Sequence, residues 1–151
     1  NFWKPIYEKV CDYLPKLKEI KLEDFYKEIN HVRPGLIRID SDELSYSLHI
    51  ILRYELEKAI FCDGVEADEL PQLWNDKMEE LLGIRPENDA EGILQDVHWS
   101  DGSFGYFPTY ALGNIFDGML LEQITKELGE IDKILEEGRI KEEGRNNSRR
   151  I

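Results

Sequence analysis

The sequence predicts a mainly α-helical fold with at most a short β-hairpin, and three stretches carry that prediction. Residues 43–61 place Leu44, Tyr46, Leu48, Ile50, Ile51, Leu52, Tyr54, Leu56, Ile60 and Phe61 over more than one helical face. His49, Arg53, Glu57, Glu43, Ser47 and Lys58 gather on the rest. Residues 108–128 open on Pro108 and run through Tyr110, Leu112, Ile115, Phe116, Leu120, Leu121 and Ile124 to Gly129. Residues 66–82 carry Pro71 near the first turn and stop at Gly83. At 151 residues the chain reads as one domain. A compact chain of that size buries roughly 68–70% of its extended surface, enough for a real core.

The remaining elements follow in order. Residues 3–14 read as a short helix with Ile6, Val10, Tyr13 and Leu14 on one face and Pro15 as the stop. Leu22–Asn30 reads as a second helix through Phe25, Tyr26 and Ile29. Pro34-Gly35 signals a turn, and Leu36-Ile37-Arg38-Ile39 a short extended stretch. Asp42 is the expected N-cap of the 43–61 helix, because a side-chain carboxylate satisfies the free N–H groups of a first turn. Ala90–Trp99 reads as a short helix, Ser100–Phe107 as a Gly-rich loop, and a short helical piece follows Gly129. The domain is expected to span 1–137. Residues 138–151 form a polar tail with no apolar period, expected to be disordered.

The formal net charge is −13, a field that repels phosphate backbones and anionic lipid. No nucleic-acid or membrane partner is expected. No run of 18 apolar residues exists to span a bilayer. Asn1–Lys9 lacks the basic start and apolar run of a secretory signal. The Asn146-Asn147-Ser148 sequon is therefore discounted, and a cytoplasmic location is expected. Cys11 and Cys62 lie too far apart for a zinc-finger spacing and read as two buried free thiols in a reducing compartment.

The sequence carries no P-loop, no dinucleotide fingerprint and no nucleophile elbow. His31, His49 and His98 include no i, i+4 pair, so no complete zinc site can be read from the chain. Three constellations remain. His49, Arg53 and Glu57 form an i, i+4, i+8 ladder, either a polar stripe facing a cleft or an ion-pair ladder on a solvent face. The residues alone favour the second. Arg38, beside Asp40, Asp42 and Glu43, is suited to grip a carboxylate bidentately or to make a local salt bridge, and the local bridge is favoured. Asp96 and His98, next to Trp99 and a glycine-rich loop, suit either an oriented imidazole near a substrate or a helix end with a half-buried histidine.

At this point the sequence resembles the carboxypeptidase Taq family of zinc metallopeptidases. Gly92, Gln95, Asp96, His98 and Trp99 match that family's G-x-x-Q-D-x-H-W motif, and the following SDGSFGYFPTYALGN is similar to its loop and helix start. Ile37, Arg38, Ser41 and Asp42 correspond to I-R-x-x-A-D, with Ser41 in place of Ala. Asp42, Glu43, Tyr46, Leu48, His49, Ile50 and Arg53 match the family's following helix. The match runs from about Phe2 to about Glu137. After Gly113-Asn114 the family's usual Ala-Ala-Gln is replaced by Phe116-Asp117-Gly118-Met119.

The resemblance implies a helical, cleft-forming peptidase that removes single residues from peptide C-termini. It implies zinc or another divalent metal in the full-length enzyme, held by a His-Glu-x-x-His helix and a downstream Glu that have no counterpart here. The metal would polarise the scissile carbonyl and activate water. Phe2-Trp3 resembles the segment soon after the third ligand, so the chain reads as a C-terminal piece, truncated at both ends. Carried over residue by residue, Arg38, Gln95 and Asp96 are expected to bind substrate. His98, with Tyr106 or Tyr110 for the oxyanion, is expected to act at the reacting carbonyl. No metal ligand is assigned, and the chain alone is expected to be inactive. The family also suggests a homodimer for the full-length enzyme. The competing expectations are a non-catalytic helical binding protein derived from the enzyme, and one half of a split enzyme.

Overall fold

A computed structural model describes residues 1–138, and the tail expected to be disordered lies outside the described residues beyond that point. The described residues contain helices and turns and no strand. The α-helices are α1 (Tyr7–Tyr13), α2 (Leu22–Ile29), α3 (Tyr46–Lys58), α4 (Leu70–Leu82), α5 (Pro108–Leu128) and α6 (Ile131–Glu136). Short 3-10 turns occupy Pro15–Glu19, Arg38–Asp40 and Ile93–Gln95, and a π-turn occupies Ala59–Asp63. Two compact units share the described residues: 31–116 forms one, and 1–30 with 117–138 forms the other.

The 31–116 unit is built on α3 packed against α4. Leu52 and Leu56 meet Trp74, Met78 and Leu82 in its core, with Leu36, Leu48, Ile93 and Trp99 packed around them. Asp42 caps the approach to α3 as expected: its Oδ1 accepts the N–H groups of Leu44 (3.0 Å) and Ser45 (2.9 Å). Three residues of turn precede the helix proper, so α3 starts at Tyr46 rather than Glu43. Its end differs too. The expected helix to Phe61 stops at Lys58 and widens into the π-turn, which closes on Gly64 at φ 74°. Pro71 lies in the first turn of α4, and Gly83 at φ 70° ends it. Cys11 is buried as expected, but Cys62, in the π-turn, is exposed. The widened turn carries its side chain out of the α3–α4 interface.

Two other expectations change. Leu36–Ile39 is not an extended run: Ile37 is extended, but Arg38 opens a 3-10 turn. The helix expected over Ala90–Trp99 shrinks to the turn Ile93–Gln95. Gln95 explains both, because its side chain holds backbone groups of both segments.

In the other unit, Tyr7 and Trp3 pack against Phe25 at ring centroid distances of 5.1 and 5.0 Å. The Tyr7 hydroxyl donates to the carbonyls of Ile20 (3.0 Å) and Leu17 (3.3 Å), fixing the chain after Pro15. Lys4 pairs with Glu136 at 2.8 Å.

Candidate functional site

The six residues singled out from sequence all lie in the 31–116 unit, and they converge there. Gln95 is the fastener. Its Oε1 accepts the Arg38 N–H at 3.0 Å. Its Nε2 donates to the carbonyls of Leu36 (2.9 Å), Glu91 (3.0 Å) and Gly92 (3.2 Å). One carboxamide thus joins two segments 57 residues apart, using both its donor and its acceptor ends on backbone. Gly92 sits in tight surroundings. A Cβ there would meet the Asn88 carbonyl oxygen at 3.3 Å and Asn75 Oδ1 at 3.5 Å.

Beside this joint, Asp96 lies between two guanidinium groups. Arg38 grips it through Nε (3.2 and 3.3 Å) and Nη2 (2.7 Å), while Arg53 of α3 reaches Oδ2 through Nε at 2.6 Å. The Arg53 side chain is fully buried, and those of Arg38 and Asp96 are 8% and 12% exposed. Burial alone would raise the Asp96 pKa, but the Arg38 hydrogen bonds and both arginine charges outweigh it and hold the carboxyl below its usual range. Burial likewise pushes Arg53 down to about 10, against the pull of Asp96. His49, one turn before Arg53 and fully buried, is pushed to about 4 by burial and then by the Arg53 charge. It is neutral at pH 7. The Arg38–Asp96–Arg53 group therefore holds two cations and one anion.

Arg38 forms the more accessible wall of this group. Its Nη1 donates to the Tyr46 hydroxyl at 3.2 Å. Its guanidinium carbon lies 5.2 Å from the Tyr110 ring centroid and 5.8 Å from that of Phe107. His98 is next to it: Nδ1 is 3.7 Å from Asp96 Oδ1, and Nε2 is 3.1 Å from the Tyr110 hydroxyl. The imidazole stacks on Tyr106 at 5.8 Å and leans on Phe107 at 4.7 Å. Burial raises the Tyr110 pKa, with the Arg38 charge pulling the other way, so the phenol stays protonated at neutral pH. The arrangement offers a guanidinium, an imidazole and three phenols around one acidic anchor.

Two sequence expectations are corrected here. Arg38 does not pair with Asp40, Asp42 or Glu43; its carboxylate partner is Asp96, 58 residues away. The His49–Arg53–Glu57 ladder is not a solvent face, since His49 and Arg53 are 0% exposed and Glu57 5%. Arg53 donates to the His49 carbonyl (2.8 Å) within the helix and to Asp96 of the 92–107 segment, while Glu57 meets Trp99 and Gly105 of that segment. Sequence reasoning thus missed Arg53, Tyr46 and Glu57 as site residues. The available signal was a polar stripe at i, i+4 spacing on a helix with apolar residues on several faces. Among the described residues, no group of three or more His, Cys, Asp or Glu side chains is placed to hold a metal ion. No described helix is long and apolar enough to cross a membrane.

Comparison with known proteins gives consistent matches. The family model described as carboxypeptidase Taq (M32) metallopeptidase matches residues 1–145. Carboxypeptidase 1 of Bacillus subtilis is 51% identical over 91% of this chain. Thermostable carboxypeptidase 1 of Pyrococcus furiosus is 42% identical over 88% of it. A solved structure of the Pyrococcus furiosus carboxypeptidase superposes with a TM-score of 0.86 at 41% identity, over 90% of this chain and 27% of that one. This chain spans 28% of the length of the Bacillus relative and 27% of the Pyrococcus one.

Proposed function

The chain belongs to the carboxypeptidase Taq (M32) metallopeptidase family, and on that premise we propose that its 31–116 unit is the substrate side of a carboxypeptidase site, receiving the free C-terminus of a peptide. The supporting observation is the pairing of two arginines with a single aspartate. Arg53 is fully buried behind Asp96, while Arg38 combines bidentate contact to Asp96 with an edge toward the aromatic side chains of Tyr46 and Tyr110. A guanidinium held in this way accepts a second carboxylate with little reorganisation, and charge-assisted hydrogen bonds of that kind are the strong ones. Asp96 then orients Arg38 rather than meeting substrate. Gln95 holds the segment that presents Arg38. His98 and Tyr110, linked through Nε2 and the hydroxyl, supply hydrogen-bonding groups at the adjacent peptide bond, with Tyr106 beside them. The divalent metal implied by the family has no set of ligands among the described residues, and no step of this reading passes through it.

The reading is tested by calorimetric titration of the chain with an N-acylated dipeptide and with the same dipeptide amidated at its C-terminus. The free carboxylate should bind at least about tenfold more tightly, the usual size of a charge-assisted contact. Arg38→Met should erase that preference. Equal affinity for acid and amide would sink the proposal. The chain alone is expected to release no amino acid from peptides; release with stoichiometric retained zinc would overturn that part.

A further inference from the structure

Glu57 lies one turn beyond Arg53 on α3, outside the Arg38–Asp96–Arg53 group, and the proposed carboxylate site makes no use of it. It is 5% exposed and makes no ion pair among the described residues. A buried carboxylate without a cation is costly, and an apolar residue would serve the packing of the helix better. Both its oxygens are nevertheless occupied. Oε1 accepts the Trp99 indole N–H at 2.8 Å, and Oε2 accepts the Gly105 backbone N–H at 3.0 Å. These two donors stand at the two ends of the loop that separates His98 from Phe107.

We infer that Glu57 is a positioning residue: from a rigid helix it ties both ends of the 99–105 loop and thereby holds Tyr106 against His98. Three features support this assignment. Trp99 is fixed on its other sides by edge-to-face contacts with Trp74 (6.0 Å) and Phe107 (6.1 Å), so its indole N–H offers a stationary first anchor. Gly105 has φ 73°, a conformation open to glycine that turns its N–H onto the carboxylate. The next residue is Tyr106, whose ring stacks on His98 at an interplanar angle of 26°. Moving Gly105 moves Tyr106. Both partners of Glu57 are donors at every pH, so the position requires two acceptor oxygens. A glutamine supplies one, and turns its NH2 toward the other donor. The inference rests on the proposed reading only for what the loop carries.

The test compares Glu57→Gln with the unaltered 151-residue chain by amide hydrogen exchange and by NMR contacts between aromatic rings. In Glu57→Gln, protection of the Gly105 amide should fall at least about tenfold and the Tyr106–His98 contact should disappear. Protection across α4, residues 70–82, should be unchanged. The preference for a free peptide carboxylate over its amide, set by Arg38, should persist while both ligands bind more weakly. Trp99→Phe, which leaves the Gly105 bond intact, should keep Gly105 protected. Unchanged Gly105 protection and an unchanged ring contact in Glu57→Gln would overturn the inference. So would a loss of α4 protection in step with Gly105, which marks a residue holding the whole fold. Absence of a carboxylate preference in the unaltered chain sinks the functional proposal and leaves these exchange results standing.

Discussion

Helices α3 and α5 invert the usual relation between composition and burial. α3 has 13 residues and buries six of them, His49, Ile50, Leu52, Arg53, Leu56 and Glu57. Half of those are polar or charged. α5 has 21 residues, is the more apolar of the two, and buries none. Leu112, Ile115, Phe116, Met119, Leu120 and Leu121 of α5 are each 52–59% exposed. The difference lies in what faces each helix. α4 covers the Leu52–Leu56 side of α3, and the 92–107 segment brings Asp96, the Trp99 indole and the Gly105 N–H to its polar side. Arg53 and Glu57 are buried there because specific partners arrive to meet them. α5 meets no such layer among the described residues. An apolar surface of that extent is the kind that binds other chains.

Removing the partner that lets α3 bury charge should have the largest effect. Asp96→Asn leaves two guanidinium groups, 0% and 8% exposed, without their carboxylate. The expected loss is about 3–5 kcal/mol in denaturant unfolding, the usual cost of orphaning a buried ion pair. A loss under about 1 kcal/mol would mean that water reaches the pair and that its burial is not what holds the 36–42 and 92–99 segments together.

A matched pair of truncations sharpens the contrast. Leu52→Ala in α3 opens a cavity in the packed interface with Trp74 and Met78 and should cost about 2–5 kcal/mol. Leu120→Ala in α5, at a position 59% exposed, should change stability by no more than about 0.5 kcal/mol. Equal losses, measured under the same conditions, would show that α5 is packed in solution, by a second copy of the chain or otherwise.

The contrast also marks how far the sequence could be read. Periodicity and punctuation found the helices, and Pro108 and Gly129 bracketed α5 well, because those signals are local. The cap at Asp42 was legible for the same reason: its partners are two and three residues away. The destination of Arg38, Arg53 and Glu57 was not, since their partners stand 58, 43 and 42 residues off. Spacing on one helix offered the nearest opposite charges, and tertiary contacts overrode that choice. The helix expected over Ala90–Trp99 failed similarly. Gln95 bonds back to the Glu91 and Gly92 carbonyls and across to Leu36, which stabilises a compact turn in place of a regular helix. Six residues of the candidate site could be selected from their motifs, but the part played by Arg53, Tyr46 and Glu57, and the joint geometry, depended on pairings that no local pattern contains.

A modest stabilisation tests α5 itself. Gly118 sits within the helix with no positive φ, and a Cβ added there meets nothing within 4 Å. Glycine in a helix costs about 0.5–1 kcal/mol relative to alanine, chiefly through the backbone freedom lost on ordering. Gly118→Ala should therefore stabilise the chain by about that amount in chemical denaturation, with no change in peptide binding, because the substitution lies outside the 31–116 unit. The sign is informative. α3 draws its stability from partners, so propensity counts for little along it; around Gly118, α5 lacks such partners among the described residues and should respond to propensity directly. A Gly118→Ala chain that is no more stable would mean that α5 is not ordered in the free chain, whereas a clear destabilisation would mean that another surface lies close against Gly118.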